Sequence, residues 1–412
     1  MVFESVRYRA NHPLIPKVLN GIGKEHLPVL SPGYVQKALE IWWTTPPTDM
    51  GAAAHWRWAA RNLPACALWF LWLLASYVRA SGRPRRRSPP PAPPPAATTT
   101  AVVTGSSGGI GFELARGLLA AGHHVVVTGP SRARGEAALR ALQAEFPAGR
   151  AEFRALDLAD DASVAAFCAA VAGPAAGRPP LGLLVNNAGT MEGGAQNAGP
   201  QSAAVNCWGP LKLTAGLLAL HGPVDVVNVT SFTHRAARRR ELDAVLRPAG
   251  QGPALSPAAA YHASKAAALV AQAALHAARG GYRVLHVDPG AVNTRITRRW
   301  PPAFRGLYER ALGPLGLLAS PAEAARAVLA AAAELGSGGS GRGGGAGAGY
   351  CCYRFAPRGA VLPASRLVRE LADPARAPWA RDLVLANAER FLEGDLARYR
   401  GGRAASTGRR RR

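Results

Sequence analysis

Residues 104–111 read TGSSGGIG and join a short β-rich run (100–104) directly to a stretch with helical apolar spacing (110–121). A strand that turns into a helix through glycines admits few architectures. Gly105 permits the tight turn, Gly109 lets the backbone approach a pyrophosphate, and Gly111 allows a helix to pack closely on a sheet. The helix start adds free N–H groups and the positive end of the aligned peptide dipoles, which together attract phosphate. Taken alone, the same letters also describe a plain loop in a chain with 46 glycines.

The pattern beyond the turn narrows the choice. Apolar runs at 125–128, 153–156, 181–185, 224–229 and 283–287 read as strands, and stretches at 136–146, 161–172, 203–219 and 258–279 read as helices between them. Such alternation, with strands apolar along their length, predicts an α/β protein with a parallel sheet covered on both faces. Ser320-Pro321-Ala322-Glu323 opens one more helix, with a capping box and a proline in its first turn.

Composition sets the limits around this domain. The formal net charge of +24 resembles that of a nucleic-acid binder, yet arginines are scattered apart from short runs at 85–87, 238–240 and 409–412. No aromatic residues interleave with those runs to form a stacking platform, so no nucleic-acid partner is expected. The five cysteines form neither a C-x-x-C pair nor a Cys/His spacing suited to zinc, so reduced thiols and no metal site are expected.

Residues 1–58 carry no motif and read as an N-terminal extension of unassigned role. Residues 63–78, LPACALWFLWLLASYV, form an apolar stretch within a candidate membrane anchor at 59–80. A spanning helix needs about 17–25 apolar residues, so the stretch is near the lower limit. Arginines are denser after it than before it, which places the following domain on the cytoplasmic side by the positive-inside rule. An Arg/Pro-rich linker at 81–98 follows, containing SPPPAPPPAA. The catalytic domain is expected over 99–395, interrupted by a Gly-rich insertion at 336–349, with a basic disordered tail at 396–412.

Three further motifs sit at the ends of strands or on adjoining helices, where open α/β sheets bind ligands. Asn186-Asn187-Ala188-Gly189 ends the fourth strand, where small residues leave room for a nucleotide. Tyr261 and Lys265 are spaced i to i+4 and so share one helix face. A lysine there favours phenolate, so the tyrosine can exchange a proton near neutral pH. By chance such a pair is common on surfaces. Here, however, Lys212 and Lys265 are the only lysines after Lys37, in a region where basic positions are almost all arginine. Thr230-Ser231 ends the fifth strand, Asn206 lies in the helix after the fourth, and Pro289-Gly290 with Thr294 follows the sixth.

Together these motifs resemble the short-chain dehydrogenase/reductase family over about residues 99–395, and 227–234 and 288–294 look like its retinol-dehydrogenase-like branch. The resemblance implies a Rossmann-type doubly wound sheet of seven parallel strands and a catalytic set of Asn206, Ser231, Tyr261 and Lys265. In that set Tyr261 is the general acid/base, Ser231 orients the carbonyl, Lys265 also binds the nicotinamide ribose, and Asn206 holds a water. Gly105, Ser107, Gly109, Ile110, Gly111, Asn187, Ala188, Gly189, Pro289, Gly290 and Thr294 would line the cofactor, with Asp157 at the adenine.

NADP is the expected cofactor, with NAD the alternative. The second strand ends Thr128-Gly129-Pro130-Ser131-Arg132, which has no acidic residue for a free ribose hydroxyl, and Arg132 or Arg134 would meet a 2′-phosphate. The branch implies a lipophilic alcohol or carbonyl substrate, retinoid- or polyprenoid-like, and carries an N-terminal apolar anchor; membrane association is expected, with the endoplasmic reticulum or plastid envelope as candidate locations. Homo-oligomers are compatible with it. A cofactor-binding regulatory or scaffold module without turnover is the competing reading. The chain departs from the family's pattern in a short 190–205 loop lacking the usual Asp-Gly helix start, and in a long segment between Ser231 and Tyr261.

Overall fold

The computed structural model describes residues 99–172, 178–191, 199–247, 254–297, 318–336, 348–352, 360–361 and 364–399. The N-terminal extension, the 59–80 stretch, the linker at 81–98 and most of the Gly-rich insertion lie outside the described residues. Among the described residues no helix is long and apolar enough to cross a membrane.

Strands β1 (Thr100–Val103), β2 (His124–Gly129), β3 (Ala151–Ala155), β4 (Leu181–Asn186), β5 (Asp225–Val229), β6 (Val284–Asp288) and β7 (Ala348–Cys352) pair in parallel in the order β3-β2-β1-β4-β5-β6-β7. An eighth strand, β8 (Ala360–Val361), adds antiparallel to β7. It extends the expected seven-stranded sheet by one edge, on a segment too short to show a period of its own. β7 starts at Ala348, so the last two residues of the expected Gly-rich insertion belong to the sheet.

Alternation of side chains along each strand divides the core in two. Ala101, Val103, Val125, Val127, Val185, Val227 and Val287 face helices α1 (Gly109–Ala120), α2 (Arg132–Glu145) and α8 (Pro321–Gly336), through residues such as Leu114, Leu142 and Val328. Val102, Val126, Leu184, Val226 and Val284 face the opposite layer, which includes α3 (Asp161–Ala172) and α5 (Gly209–His221), through Val164, Leu213 and Leu217. Helix α7 (Pro257–Arg279), which follows the short α6 (Arg239–Leu246), packs on α5 in this second layer. The chain order reverses between β1 and β4, and that switch point opens the crevice at the carboxyl ends of the strands.

The helix expected at 203–219 is broken into three pieces. Helix α4 (Gly199–Ala203) passes into a π turn (Ala204–Trp208) before α5 begins. Pro210 explains the break: it has no N–H to donate to the carbonyl four residues back, which is that of Asn206, and its ring crowds the same carbonyl. The backbone therefore widens at Asn206.

The last described elements are α9 (Arg366–Ala372), α10 (Pro378–Phe391) and a π turn (Leu392–Leu396). Leu396 is buried in the second core layer and the helical path continues to Tyr399. Residues 396–399, expected as the start of a disordered tail, are instead helical, because Leu396 completes the apolar face begun by Phe391 and Leu392, and 400–412 lie outside the described residues. Phe391 is among the largest fully buried side chains. Phe391→Ala is expected to cost about 3–5 kcal/mol of stability, read from the midpoint of urea unfolding. A loss below about 1 kcal/mol would show that the C-terminal helices do not belong to the core.

Candidate active site

The glycine-rich turn is held open by hydroxyls rather than by glycine alone. Ser106 Oγ donates to the Val103 carbonyl (2.8 Å) and accepts from the Thr128 N–H (2.8 Å). Thr128 Oγ1 accepts from the Gly105 N–H (3.3 Å) and donates to Val103 (3.1 Å). These bonds fix the exit of β1 against the exit of β2. Gly105 has φ of +65°, and a Cβ there would lie 2.9 Å from the Ala188 Cα, so the turn and the Asn-Asn-Ala-Gly loop cross backbone to backbone. Gly109 has φ of +58° and opens onto Thr294, whose side chain is 3.9 Å from where a Cβ would sit. Helix α1 starts after Gly108 with no side-chain cap, so its first N–H groups face the crevice without a protein oxygen supplied by a capping residue.

The second strand exit borders the same crevice. Ser107 lies beside Gly129, with its Oγ 3.3 Å from a Cβ placed there. Helix α2 begins at Arg132, four residues earlier than the sequence pattern indicated, because Ser131 caps it by accepting from the Arg134 N–H (3.5 Å). Arg132 is exposed and pairs with Glu136 (2.7 Å) one turn on, so a 2′-phosphate would compete with that carboxylate. Asp157 is exposed after β3 and accepts from the Ala159 N–H (2.9 Å).

Thr104 secures the Asn-Asn-Ala-Gly loop. Its Oγ1 accepts from the N–H groups of Asn187 and Ala188, both at 2.9 Å. Asn187 Nδ2 donates to the Thr104 carbonyl (2.9 Å) and lies 2.5 Å from where a Gly111 Cβ would be, so any side chain at 111 would collide with it. Ile110 packs against Val292, Ala319 and Ala324, tying the turn to the loop after β6. In that loop Pro289 is buried, and the Gly290 N–H donates to Asp288 Oδ1 (2.9 Å).

The four residues expected to be catalytic converge at the neighbouring strand ends. Lys265 is 6% exposed, and its Nζ donates to the Val229 carbonyl (3.2 Å) while standing 6.0 Å from the Tyr261 ring centre. Gly189 faces it, since a Cβ there would be 3.3 Å from Lys265 Nζ. Ser231, two residues past Val229, accepts at Oγ from Thr233 Oγ1 (2.9 Å) and the Thr233 N–H (3.3 Å). Those bonds leave the Ser231 proton for another acceptor. Asn206, on the π turn, accepts at Oδ1 from the Thr190 N–H (2.8 Å) and donates from Nδ2 to the Thr190 carbonyl and Ser264 Oγ, each at 2.9 Å. Ser264 Oγ in turn donates to the Tyr261 carbonyl (2.8 Å), so Asn206 bridges the Gly189 loop to the tyrosine helix.

Several of these supports escaped the sequence pattern. Thr104, Ser106, Thr128 and Ser264 are ordinary small polar residues until the fold shows where their hydroxyls point. Asn186 forms part of a buried amide pair, donating to Thr214 Oγ1 (3.2 Å) and Asn228 Oδ1 (2.9 Å) across two strands. Lys212, the other lysine of this domain, is bound to the Asp161 carboxylate (2.6 and 2.7 Å) away from the set. Cys168 and Cys207 are buried free thiols, and among the described residues no cluster suits a metal ion.

A doubly wound sheet, an uncapped helix at its switch point and a Ser/Tyr/Lys set beside it define the dinucleotide-binding α/β class. The short chain dehydrogenase family pattern matches residues 99–239. Over 243 residues the chain is 37% identical to a polyprenol dehydrogenase of Mus musculus, covering 56% of this chain and 70% of that protein. A protein of Streptomyces antibioticus described as a probable oxidoreductase is 35% identical over 204 residues, covering 47% of this chain and 64% of its own length. Among solved structures, an uncharacterized protein from Mycobacterium Paratuberculosis aligns with a TM-score of 0.50 at 26% identity, covering 72% of this chain and 94% of that one. The chain belongs to the short-chain dehydrogenase/reductase family.

Burial lowers the Lys265 pKa from 10.5 to about 8, with the Asp288 carboxylate opposing the shift. Between those values the unfolded chain binds a proton that the folded one does not, so this residue's contribution to stability falls as pH drops from 10.5 and is fully lost below about 8. With only five lysines in the chain, ¹³Cε-lysine NMR is expected to show one signal titrating near 8, and Lys265→Met removing it. A spectrum with every lysine near its ordinary value would refute the lowered Lys265 pKa.

Proposed function

We propose that the chain is an NADP-dependent oxidoreductase interconverting a lipophilic alcohol and its aldehyde or ketone, with Tyr261 as the proton donor and acceptor. The observation that carries this reading is the buried Lys265 ammonium beside the Tyr261 ring, with Ser231 at the end of the adjoining strand. The cofactor reading rests on the uncapped start of α1, the open Gly109–Thr294 gap and the absence of an acidic side chain at the β2 exit. Gly105, Ser107 and Gly109 to Gly111 would hold the pyrophosphate, Asn187 to Gly189 the adenosine side, and Gly290 and Thr294 the nicotinamide. When bound, the nicotinamide supplies or takes the hydride.

The chain's own groups would handle the proton and the geometry. Ser231, already accepting from Thr233, has its O–H to give to the substrate oxygen. Tyr261 gives or takes the proton at that same oxygen, and the Lys265 charge favours the phenolate it leaves behind. Asn206 keeps the Gly189 loop and the tyrosine helix in register through Thr190 and Ser264. A lipophilic substrate is supported by the polyprenol dehydrogenase relative. The apolar 59–80 stretch supports an anchor that leaves the enzyme on the cytosolic face of a membrane such as the endoplasmic reticulum or plastid envelope.

Purified full-length protein in detergent, screened with NADPH and NADH against long-chain aldehydes and with the oxidised cofactors against alcohols, tests the proposal. Tyr261→Phe is expected to lower kcat by about 10²–10⁴-fold, while cofactor affinity followed by NADPH fluorescence changes little. Turnover that survives this substitution would exclude the mechanism. Arg132→Glu is expected to weaken NADPH and leave NADH unaffected; equal loss of both would remove the 2′-phosphate contact.

A further inference from the structure

His234 lies three residues beyond Ser231, in the 3₁₀ turn Phe232–Ala236, and is 1% exposed. Its Nε2 is 3.2 Å from the Ser365 backbone N–H, which can only donate. The ring nitrogen there must accept, so the proton sits on Nδ1. Nδ1 lies 2.7 Å from the Ser231 carbonyl, to which it donates. Burial, seconded by the nearby Arg235 charge, lowers its pKa to about 3, so the ring stays neutral across the working range. Both nitrogens are thus committed in one tautomer, with one end on the catalytic strand exit and the other on a segment 131 residues later.

Each end is a structural hinge point. The Ser231 carbonyl also receives the His234 N–H (3.1 Å), so the backbone carrying the Ser231 hydroxyl is fixed by two donors from one residue. Ser365 is the N-cap of α9, its Oγ accepting from the Val368 N–H (3.3 Å), and α9 packs on α7, the helix of Tyr261 and Lys265. Ser231 and Tyr261 sit on different elements, and the His234 ring joins the first to a helix that leans on the second.

We propose that His234 is a positioning residue, an imidazole strut that sets the Ser231 hydroxyl relative to Tyr261 by tying the strand exit to the N-terminus of α9. It rests on the proposed function for its catalytic consequence, though not for its structural one. Small displacements of an aligned group cost rate steeply, so the strut is felt at kcat while the cofactor crevice, built from β1, α1 and β4, is untouched.

The test uses full-length protein with His234→Phe and His234→Asn. Phenylalanine keeps a flat ring and loses both side-chain bonds, leaving the Ser365 N–H without its acceptor. His234→Phe is expected to lower kcat about 10–100-fold with the NADPH dissociation constant within about 2-fold of wild type. Hydrogen–deuterium exchange is expected to rise together over 231–236 and 365–372 and to stay unchanged in α1. Asparagine keeps a donor near the Nδ1 position but cannot reach Ser365. With the tie to α9 lost, it is expected to lower kcat about 10–100-fold as phenylalanine does, with exchange at 365–372 fast. Unchanged kcat in either variant, or exchange in His234→Phe rising at one segment alone, would overturn the strut. If wild-type protein turns over no substrate, the proposed function fails and the exchange result alone decides the strut.

Discussion

Placing an ammonium in a protein interior is costly unless oxygen surrounds it, and Lys265 is the group on which this site turns. Its charge is stabilised by the Val229 carbonyl and by the field of Asp288, a fully buried carboxylate at the end of the next strand. Those partners exist only where β5 and β6 end together, in a register that pairs Val229 with Val287. The same register brings Ser231 past the sheet edge within reach of the Tyr261 helix. Arginine would not serve in its place, because its broad guanidinium does not fit the space bordered by Gly189.

Around that charge the structure is a set of crossings that tolerate no added atoms. The glycine-rich turn meets Ala188, and Gly111 meets the Asn187 amide. Because the loop after β4 is held by Thr104 while Thr190 is held by Asn206, one continuous segment spans the proposed cofactor crevice and the proposed catalytic set. A shift at either end would be transmitted to the other. The π turn at Asn206 is part of this linkage: Pro210 prevents a regular helix there, and the asparagine reaches both Thr190 and Ser264 from the widened turn.

Most of the sheet was legible in advance, since valine-rich strands alternating with helical spacing have one economical arrangement. Six of the strands and helices α1, α3 and α7 fall within a few residues of their apolar patterns. The misses have different causes. Helix α2 starts early because a serine cap at 131 outweighs an arginine-rich, weakly apolar first turn. The 203–219 helix is interrupted by a single proline whose effect falls on the carbonyl four residues back. β8 and the buried Leu396 depend on contacts with segments distant in sequence, which no local period reports.

By itself, the sequence determined the family, its oxidoreductase class and the class of fold. Glycines at fixed offsets, a tyrosine and lysine one turn apart, and hydroxyls at strand ends are local patterns, and local patterns encode backbone conformation and residue type. Only the tertiary structure decided which ordinary residues make those patterns work. Ser106, Thr128, Ser264 and His234 act through partners between 3 and 131 residues away, and a hydrogen bond across such a separation leaves no trace in composition or period. The depressed Lys265 pKa belongs to the same class, because burial is a property of everything packed around a residue and of nothing beside it in the chain.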